Sequence, residues 1–231
     1  MTRTEQFPCF FPLGEEAVLI QLGSKPSLAT HRKVQTWARH LETTAPDWVL
    51  ESIPAYTELA VVFDGERVGW REVLNWLKAQ RPEASSSPEE QNPEVLIPVR
   101  YGGGDGPDLE EVARHASLSV EEVIRRHQAN EYRVAMLGFT PGFPYLLGLD
   151  PSLNCPRRRS PRLKVPCGSV GIAGEQTGIY SCEGPGGWQI IGRTDMSLYN
   201  PRAKAPFRLR PGDRVRFVAD GGTVTGKEEN P

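Results

Sequence analysis

Between residues 136 and 206, prolines and glycines alternate with bulky apolar side chains, and that pattern restricts the chain more than any other in its 231 residues. The segment holds Met-Leu-Gly-Phe-Thr-Pro-Gly-Phe-Pro-Tyr-Leu at 136 to 146, Val-Pro-Cys-Gly-Ser-Val-Gly-Ile-Ala-Gly at 165 to 174 and Gly-Gly-Trp-Gln at 186 to 189. Glycine and proline at this density usually mean loop or disorder. Here Phe139, Phe143, Tyr145, Ile172, Ile179, Tyr180, Trp188 and Ile190 are interleaved with them. Together they can bury enough apolar surface to offset the ordering entropy that keeps low-complexity chains unfolded. The segment reads as rigid, folded backbone around a site.

The rest of the chain falls into two parts. Residues 17 to 22 read as a buried strand, and Ser27 is placed to cap a helix running to about Glu42, with Val34, Trp37, Ala38 and Leu41 on one face. Strand-like runs at 48 to 53 and 58 to 63 precede an amphipathic helix at 69 to 79 that turns Val73, Leu74 and Leu77 inward. The order β-α-β-β-α is most of a split βαβ unit and predicts a small ferredoxin-like domain over 1 to 84, its last strand weak or supplied from elsewhere. The stretch from 85 to 94, rich in Ser, Pro and Glu, is a linker composition. A strand at 95 to 100, a glycine loop at 102 to 106 and helices at 108 to 115 and 120 to 129 follow, with Ser119 and Glu122 at capping-box spacing. From residue 131 short turn-punctuated runs, ending in a hairpin-like turn at Pro211-Gly212-Asp213 before Val215 and Phe217, predict a β-barrel or sandwich over the second domain, 95 to 231. The fold class is α+β.

Bulk charge excludes some functions. Lys and Arg number 27 against 29 Asp and Glu, so there is no global pull toward nucleic acid or an anionic membrane. The helix pair at 108 to 127 resembles a helix-turn-helix in length, but Glu121 and Glu122 stand where base edges would be read, and only Arg125, Arg126 and His127 cluster beyond them. Cys9, Cys155, Cys167 and Cys182 form no metal-binding spacing and read as structural or buried thiols of a reducing compartment. Pro8 and Pro12 break the N-terminal apolar run, and nothing approaches the ~20 apolar residues that cross a bilayer, so a cytoplasmic protein is expected.

Familiar motifs fail on inspection. Gly102-Gly103-Gly104-Asp105-Gly106 precedes a helix, as phosphate loops do, but lacks the dinucleotide spacing and a P-loop lysine, and Asp105, Asp108, Glu110 and Glu111 would repel an anion. Cys167-Gly168-Ser169-Val170-Gly171 comes close to a nucleophile elbow, but its first glycine is a cysteine and all four histidines precede it in helical stretches. Ser169 therefore reads as a turn residue. Arg157, Arg158, Arg159, Arg162 and Lys164 concentrate positive charge, partly as solvated surface. Arg162 and Arg193, flanked by apolar residues and glycine, are the best candidates to clamp a carboxylate or phosphate.

These residues also resemble a known family. Gly138-Phe139-Thr140-Pro141-Gly142-Phe143-Pro144-Tyr145-Leu146, Pro161-Arg162, Gly168-Ser169-Val170-Gly171-Ile172-Ala173-Gly174, Gln176-Thr177-Gly178-Ile179-Tyr180 and Pro185-Gly186-Gly187-Trp188 through Gly192-Arg193-Thr194 are similar to a family known under three descriptions: the B subunit of 5-oxoprolinase, allophanate hydrolase subunit 1, and the inhibitor of a sporulation histidine kinase. The likeness covers about residues 13 to 218. It implies a cyclophilin-like β-barrel after the small domain, a homologous second subunit and a third hydrolase subunit as partners, and ATP used with the partner to open a lactam or amide. It makes Phe139, Pro141, Phe143, Tyr145, Arg162, Gln176, Tyr180, Trp188 and Arg193 the candidate substrate- or partner-binding residues, with no metal and no catalytic residue assigned. Cys167, Glu175 and the run Ser181-Cys182-Glu183-Gly184 depart from the family pattern at loop edges.

Two functions compete at this point. One is the enzyme subunit, whether for 5-oxoproline or for allophanate or urea. The other is a regulatory protein that inhibits a sensor kinase. Peptidyl-prolyl isomerase activity rests on barrel analogy alone.

Overall fold

The computed structural model describes residues 7–83 and 94–220. The chain divides into two compact units, 1–91 and 92–231. Nearly all of the stretch expected to be a linker, 85 to 94, lies outside the described residues.

In the first unit, strands β1 (Cys9–Pro12), β2 (Ala17–Gln21), β3 (Val49–Pro54) and β4 (Glu58–Phe63) form an antiparallel sheet in the order β1-β2-β4-β3. Helices α1 (Leu28–Thr44) and α2 (Trp70–Ala79) pack against it. Ser27 caps α1 as expected, its hydroxyl accepting the Thr30 N–H at 3.0 Å. Period-two alternation along β4 turns Leu59, Val61 and Phe63 into the core, where they meet Val34, Trp37 and Leu41 of α1 and Val73 and Leu77 of α2.

The sequence pattern leaves the last strand of this unit weak or supplied from elsewhere. The fourth strand comes from the N-terminus, where β1 pairs with β2 from Cys9↔Gln21 to Pro12↔Val18. The prolines that hid this strand in the sequence are tolerated because β1 is an edge.

In the second unit, β5 (Glu94–Tyr101), β6 (Tyr132–Leu137), β7 (Pro144–Leu147), β9 (Ser169–Ala173), β10 (Gln176–Ile179), β12 (Gln189–Arg193) and β13 (Arg214–Ala219) close into a seven-stranded barrel. Closure leaves these strands no free edge. Two further strands, β8 (Arg162–Val165) and β11 (Gly184–Gly186), form a separate antiparallel ribbon. The final strand is not a closing hairpin. It runs parallel to β5 from Arg214↔Glu94 to Ala219↔Val99 and antiparallel to β6. The interior is filled by Ile97, Val99, Val134, Leu146, Val170, Ile172, Ile179, Ile191, Val215 and Phe217, and helices α3 (Leu109–Ala116) and α4 (Val120–Ala129) cover it with Leu109, Val112 and Val123.

The residues that suggested a DNA-reading helix pair have other partners. Arg125 and Arg126 both donate to Glu122. His127 is fully buried and stacks on Phe217 at 4.4 Å. The Thr177 hydroxyl donates to the Gly171 carbonyl, so it accepts from His127 Nε2, which leaves Nδ1 to accept from the Tyr101 hydroxyl. Burial lowers the His127 pKa to about 3, and the ring is neutral. No helix among the described residues is long and apolar enough to cross a membrane.

Candidate functional site

The glycine- and proline-rich segment builds two clefts on the barrel unit. The larger holds about 250 Å³ and is lined by Phe139, Phe143, Tyr145, Arg157, Pro161, Tyr180, Pro185, Gly186, Gly187 and Trp188. Its walls come from the β6–β7 turn, the residue after β10, the β8–β11 ribbon and the start of β12.

Local rules explain the aromatic wall. The turn between β6 and β7 is closed by Gly138 N–H to the Phe143 carbonyl at 3.1 Å and Phe143 N–H to the Thr140 carbonyl at 3.0 Å. Within it Phe139 has φ +65° and is 60% exposed. A bulky residue rarely takes that conformation, and it costs on the order of 1 kcal/mol. The turn is pinned from the opposite side: Ser181 Oγ donates to the Pro141 carbonyl at 2.7 Å, so the Thr140 hydroxyl, 3.2 Å away, donates to Ser181. Phe139 thus stands at the mouth, edge-on to Phe143 at 5.6 Å and Tyr180 at 6.2 Å.

Below it the rings are packed. Phe143 meets Tyr145 at 4.8 Å, Tyr180 at 5.3 Å and Trp188 at 5.4 Å, in the tilted and edge-to-face geometries that ring quadrupoles favour. Two glycines make room for them. A Cβ on Gly178 would lie 2.9 Å from the Phe143 ring, and one on Gly186 would lie 2.2 Å from the Tyr180 hydroxyl oxygen. This is why glycine and aromatic residues alternate in the sequence. Burial pushes the Tyr145 and Tyr180 hydroxyls up, so both stay protonated near neutrality and act as donors, not bases.

The smaller cleft holds about 100 Å³ and is lined by Gly104, Asp105, Pro107, Arg162, Lys164, Val165, Pro166, Ser169, Ile190 and Arg193. Its organising group is a residue that sequence reading treated only as an anion-repelling acid. Asp108 is 4% exposed, and its Oδ1 accepts from Arg158 Nη1 and Arg162 Nη2, both at 2.8 Å. Its Oδ2 accepts the Ile190 N–H at 2.7 Å, and its own N–H donates to the Ile190 carbonyl at 2.8 Å. One buried carboxylate therefore ties α3, β12 and the arginine-rich segment together. The available signal was an Asp after Gly106-Pro107, directly before the helix turn Leu109-Glu110-Glu111-Val112.

The structure brings Phe139, Phe143, Tyr145, Tyr180 and Trp188 into one cleft and Arg162 and Arg193 into the other. Arg157, one of the arginines the sequence left open between solvated surface and pocket, is exposed and lines the aromatic cleft, while Arg158 is half-buried on Asp108. Pro141 is exposed at the turn apex, and Gln176 opens β10 opposite Ala173, outside both linings. The glycine loop is a turn: Gly102 N–H bonds the Ile191 carbonyl and Gly106 N–H bonds the Gly102 carbonyl. The elbow-like run is not an elbow, because Ser169 leads into a strand. Of the thiols expected to be buried, Cys155 is, but Cys167 is exposed and donates to the Ser181 carbonyl at 3.1 Å. Among the described residues there is no cluster of His, Cys, Asp and Glu able to hold a metal ion.

Comparison with known proteins decides the family. A model of the carboxyltransferase domain, subdomain C and D, matches residues 8–209. The chain belongs to that family. It is 43% identical over 206 residues to the B subunit of 5-oxoprolinase from Escherichia coli O157:H7, covering 89% of this chain and 93% of that protein. To the protein of the same name from Bacillus subtilis (strain 168) it is 42% identical over 216 residues, covering 89% and 90%. The crystal structure of TTHA0988 in space group P212121 superposes with a TM-score of 0.78 at 40% identity, over 91% of this chain and 41% of that one. The chain thus spans nearly the full length of the curated relatives and about two fifths of that solved family member.

Proposed function

We propose that this chain is the B subunit of an ATP-dependent 5-oxoprolinase, and that its aromatic cleft is one wall of the site where 5-oxo-L-proline binds. The observation that carries this reading is the near end-to-end match with proteins named as the B subunit of 5-oxoprolinase. The cleft chemistry supports it. 5-Oxoproline is a small, flat lactam ring bearing a carboxylate, suited to ring contact with Phe143, Tyr180 and Trp188 and to a charge-assisted hydrogen bond from Arg157.

The lining residues include no carboxylate, histidine or cysteine, which suits a site that a homologous second subunit and a third subunit complete in the cytoplasm. An unstrained lactam resists water until its carbonyl is activated. In the proposed reaction the lactam oxygen attacks the γ-phosphorus of ATP and ADP leaves. A water then adds to the activated carbon, and the C–N bond breaks with the nitrogen keeping the electron pair and taking a proton. A second water releases phosphate from the acyl phosphate, giving glutamate. This chain contributes binding and orientation.

The test is reconstitution of the complete assembly with labelled 5-oxoproline. Glutamate should form in step with ATP hydrolysis, and this chain alone should turn over nothing. A complete assembly that forms no glutamate removes the reading.

A further inference from the structure

The smaller cleft is electrostatically distinct from the aromatic one. It is lined by Gly104, Asp105, Arg162, Lys164, Ser169 and Arg193. Its acidic member is already matched, since Asp105 accepts from Arg100 Nε at 2.8 Å. The lysine is matched at the surface, where Lys164 Nζ lies 3.0 Å from Glu183. The two arginines are held but not satisfied. Arg193 spends its Nε on the Cys167 carbonyl at 3.0 Å, and its two terminal nitrogens make no hydrogen bond among the described residues. Arg162 spends Nη2 on Asp108, and its Nη1 is buried with no hydrogen-bond partner among the described residues. Because Arg158 shares the same carboxylate, Asp108 carries two guanidinium groups on one negative charge.

A buried guanidinium N–H without an acceptor is costly, and two guanidiniums on one carboxylate leave net positive charge beside the cleft. An anion at the cleft would offset that charge. Its volume of about 100 Å³ equals about three waters at bulk density, enough for one tetrahedral anion. Arg162, Lys164 and Arg193 all line it, the exposed Lys164–Glu183 pair being weak enough to open, and three cations suit the three terminal oxygens of a phosphoryl group better than the two of a carboxylate.

We propose that this cleft is a phosphoryl-binding subsite, in which Arg193 and Lys164 hold the terminal oxygens and Arg162, fixed by Asp108, adds positive charge beside them. The ligand class rests on the ATP-dependent reading above, while the geometry does not. The source is either free phosphate or the terminal phosphate of a nucleotide.

The experiment is calorimetric titration of the isolated full-length chain at constant ionic strength, in separate arms with inorganic phosphate, ATP and acetate. Saturable phosphate binding is expected, weakened at least tenfold by R193Q, partly rescued by R193K, and unchanged by R159Q, which alters an exposed arginine outside both clefts. Tighter binding of ATP than of phosphate identifies the nucleotide as the source, and equal binding identifies the free anion. K164Q serves as a second cleft variant should R193Q unfold. The proposal is overturned if phosphate does not bind, if acetate binds as well as phosphate, or if folded R193Q and K164Q both bind like the parent. No turnover is read, so failure here leaves the 5-oxoprolinase assignment standing, and an inactive assembly leaves this result standing.

Discussion

At the scale of single residues, Asp108 and His127 do the most structural work in the barrel unit, and neither showed its role in the sequence. Replacing Asp108 by Ala strands two arginines and the Ile190 N–H. Arg158 and Arg162 keep 36% and 24% exposure and find some water, so the cost falls below that of a fully buried pair, at about 2 to 3 kcal/mol. Urea unfolding of D108A against the parent measures it, and an unchanged midpoint would show that the carboxylate does not hold the arginines. His127 makes a different prediction. Its folded pKa of about 3 lies below the ordinary 6.5, so the unfolded chain binds the extra proton. The contribution is complete above about pH 6.5 and is lost as pH falls toward 3, a change of a few kcal/mol. Stability should therefore decline with acidification more steeply in the parent than in H127L, and parallel pH profiles would contradict it. An acid at a helix start or a histidine in a charged run looks solvent-facing until tertiary packing surrounds it, which is why sequence periodicity missed both.

At the scale of elements, legibility followed locality. The helices of both units and strands β2 to β5 are marked by caps, periodicity and turn residues close in sequence, and they appear within a residue or two of the expected positions. The edge strand β1 pairs with its sequence neighbour β2 but is masked by prolines, and the parallel partner of β5 depends on pairing with a distant segment, which no local pattern encodes. The glycines of the β9 to β12 region follow the same logic. Gly178 and Gly186 looked like freedom for the backbone but act as space for rings, whereas Gly174, at φ +58° with nothing near it, is a turn position. Gly178→Ala would place a methyl 2.8 Å from the Pro144 carbonyl oxygen and 2.9 Å from the Phe143 ring, where β10 pairs with β7. It should destabilise the chain by about 1 to 3 kcal/mol and raise Phe143 mobility, read by thermal unfolding and aromatic NMR linewidths. An unperturbed variant would mean that the wall is looser than described.

At the scale of the whole molecule, the structure places five of the nine candidate residues in an aromatic cleft and two in a cationic one, with Pro141 and Gln176 in neither. The division could not be read from sequence because Arg157 and Arg158 are adjacent in the chain, yet the first lines the aromatic cleft while the second joins Arg162 on Asp108. The lining of the aromatic cleft offers rings and one arginine but no carboxylate, histidine or cysteine, which fits the proposal that this chain is one part of a larger enzyme. Phe139 offers the least disruptive probe of that idea, being 60% exposed at the cleft mouth. The most direct measurement is 5-oxoproline-stimulated ATP hydrolysis by the reconstituted assembly carrying F139A in this chain. The account predicts an intact assembly whose KM for 5-oxoproline rises by about tenfold, with basal ATP hydrolysis retained. An unchanged KM in a folded, assembled variant would contradict the claim that 5-oxoproline binds against this wall.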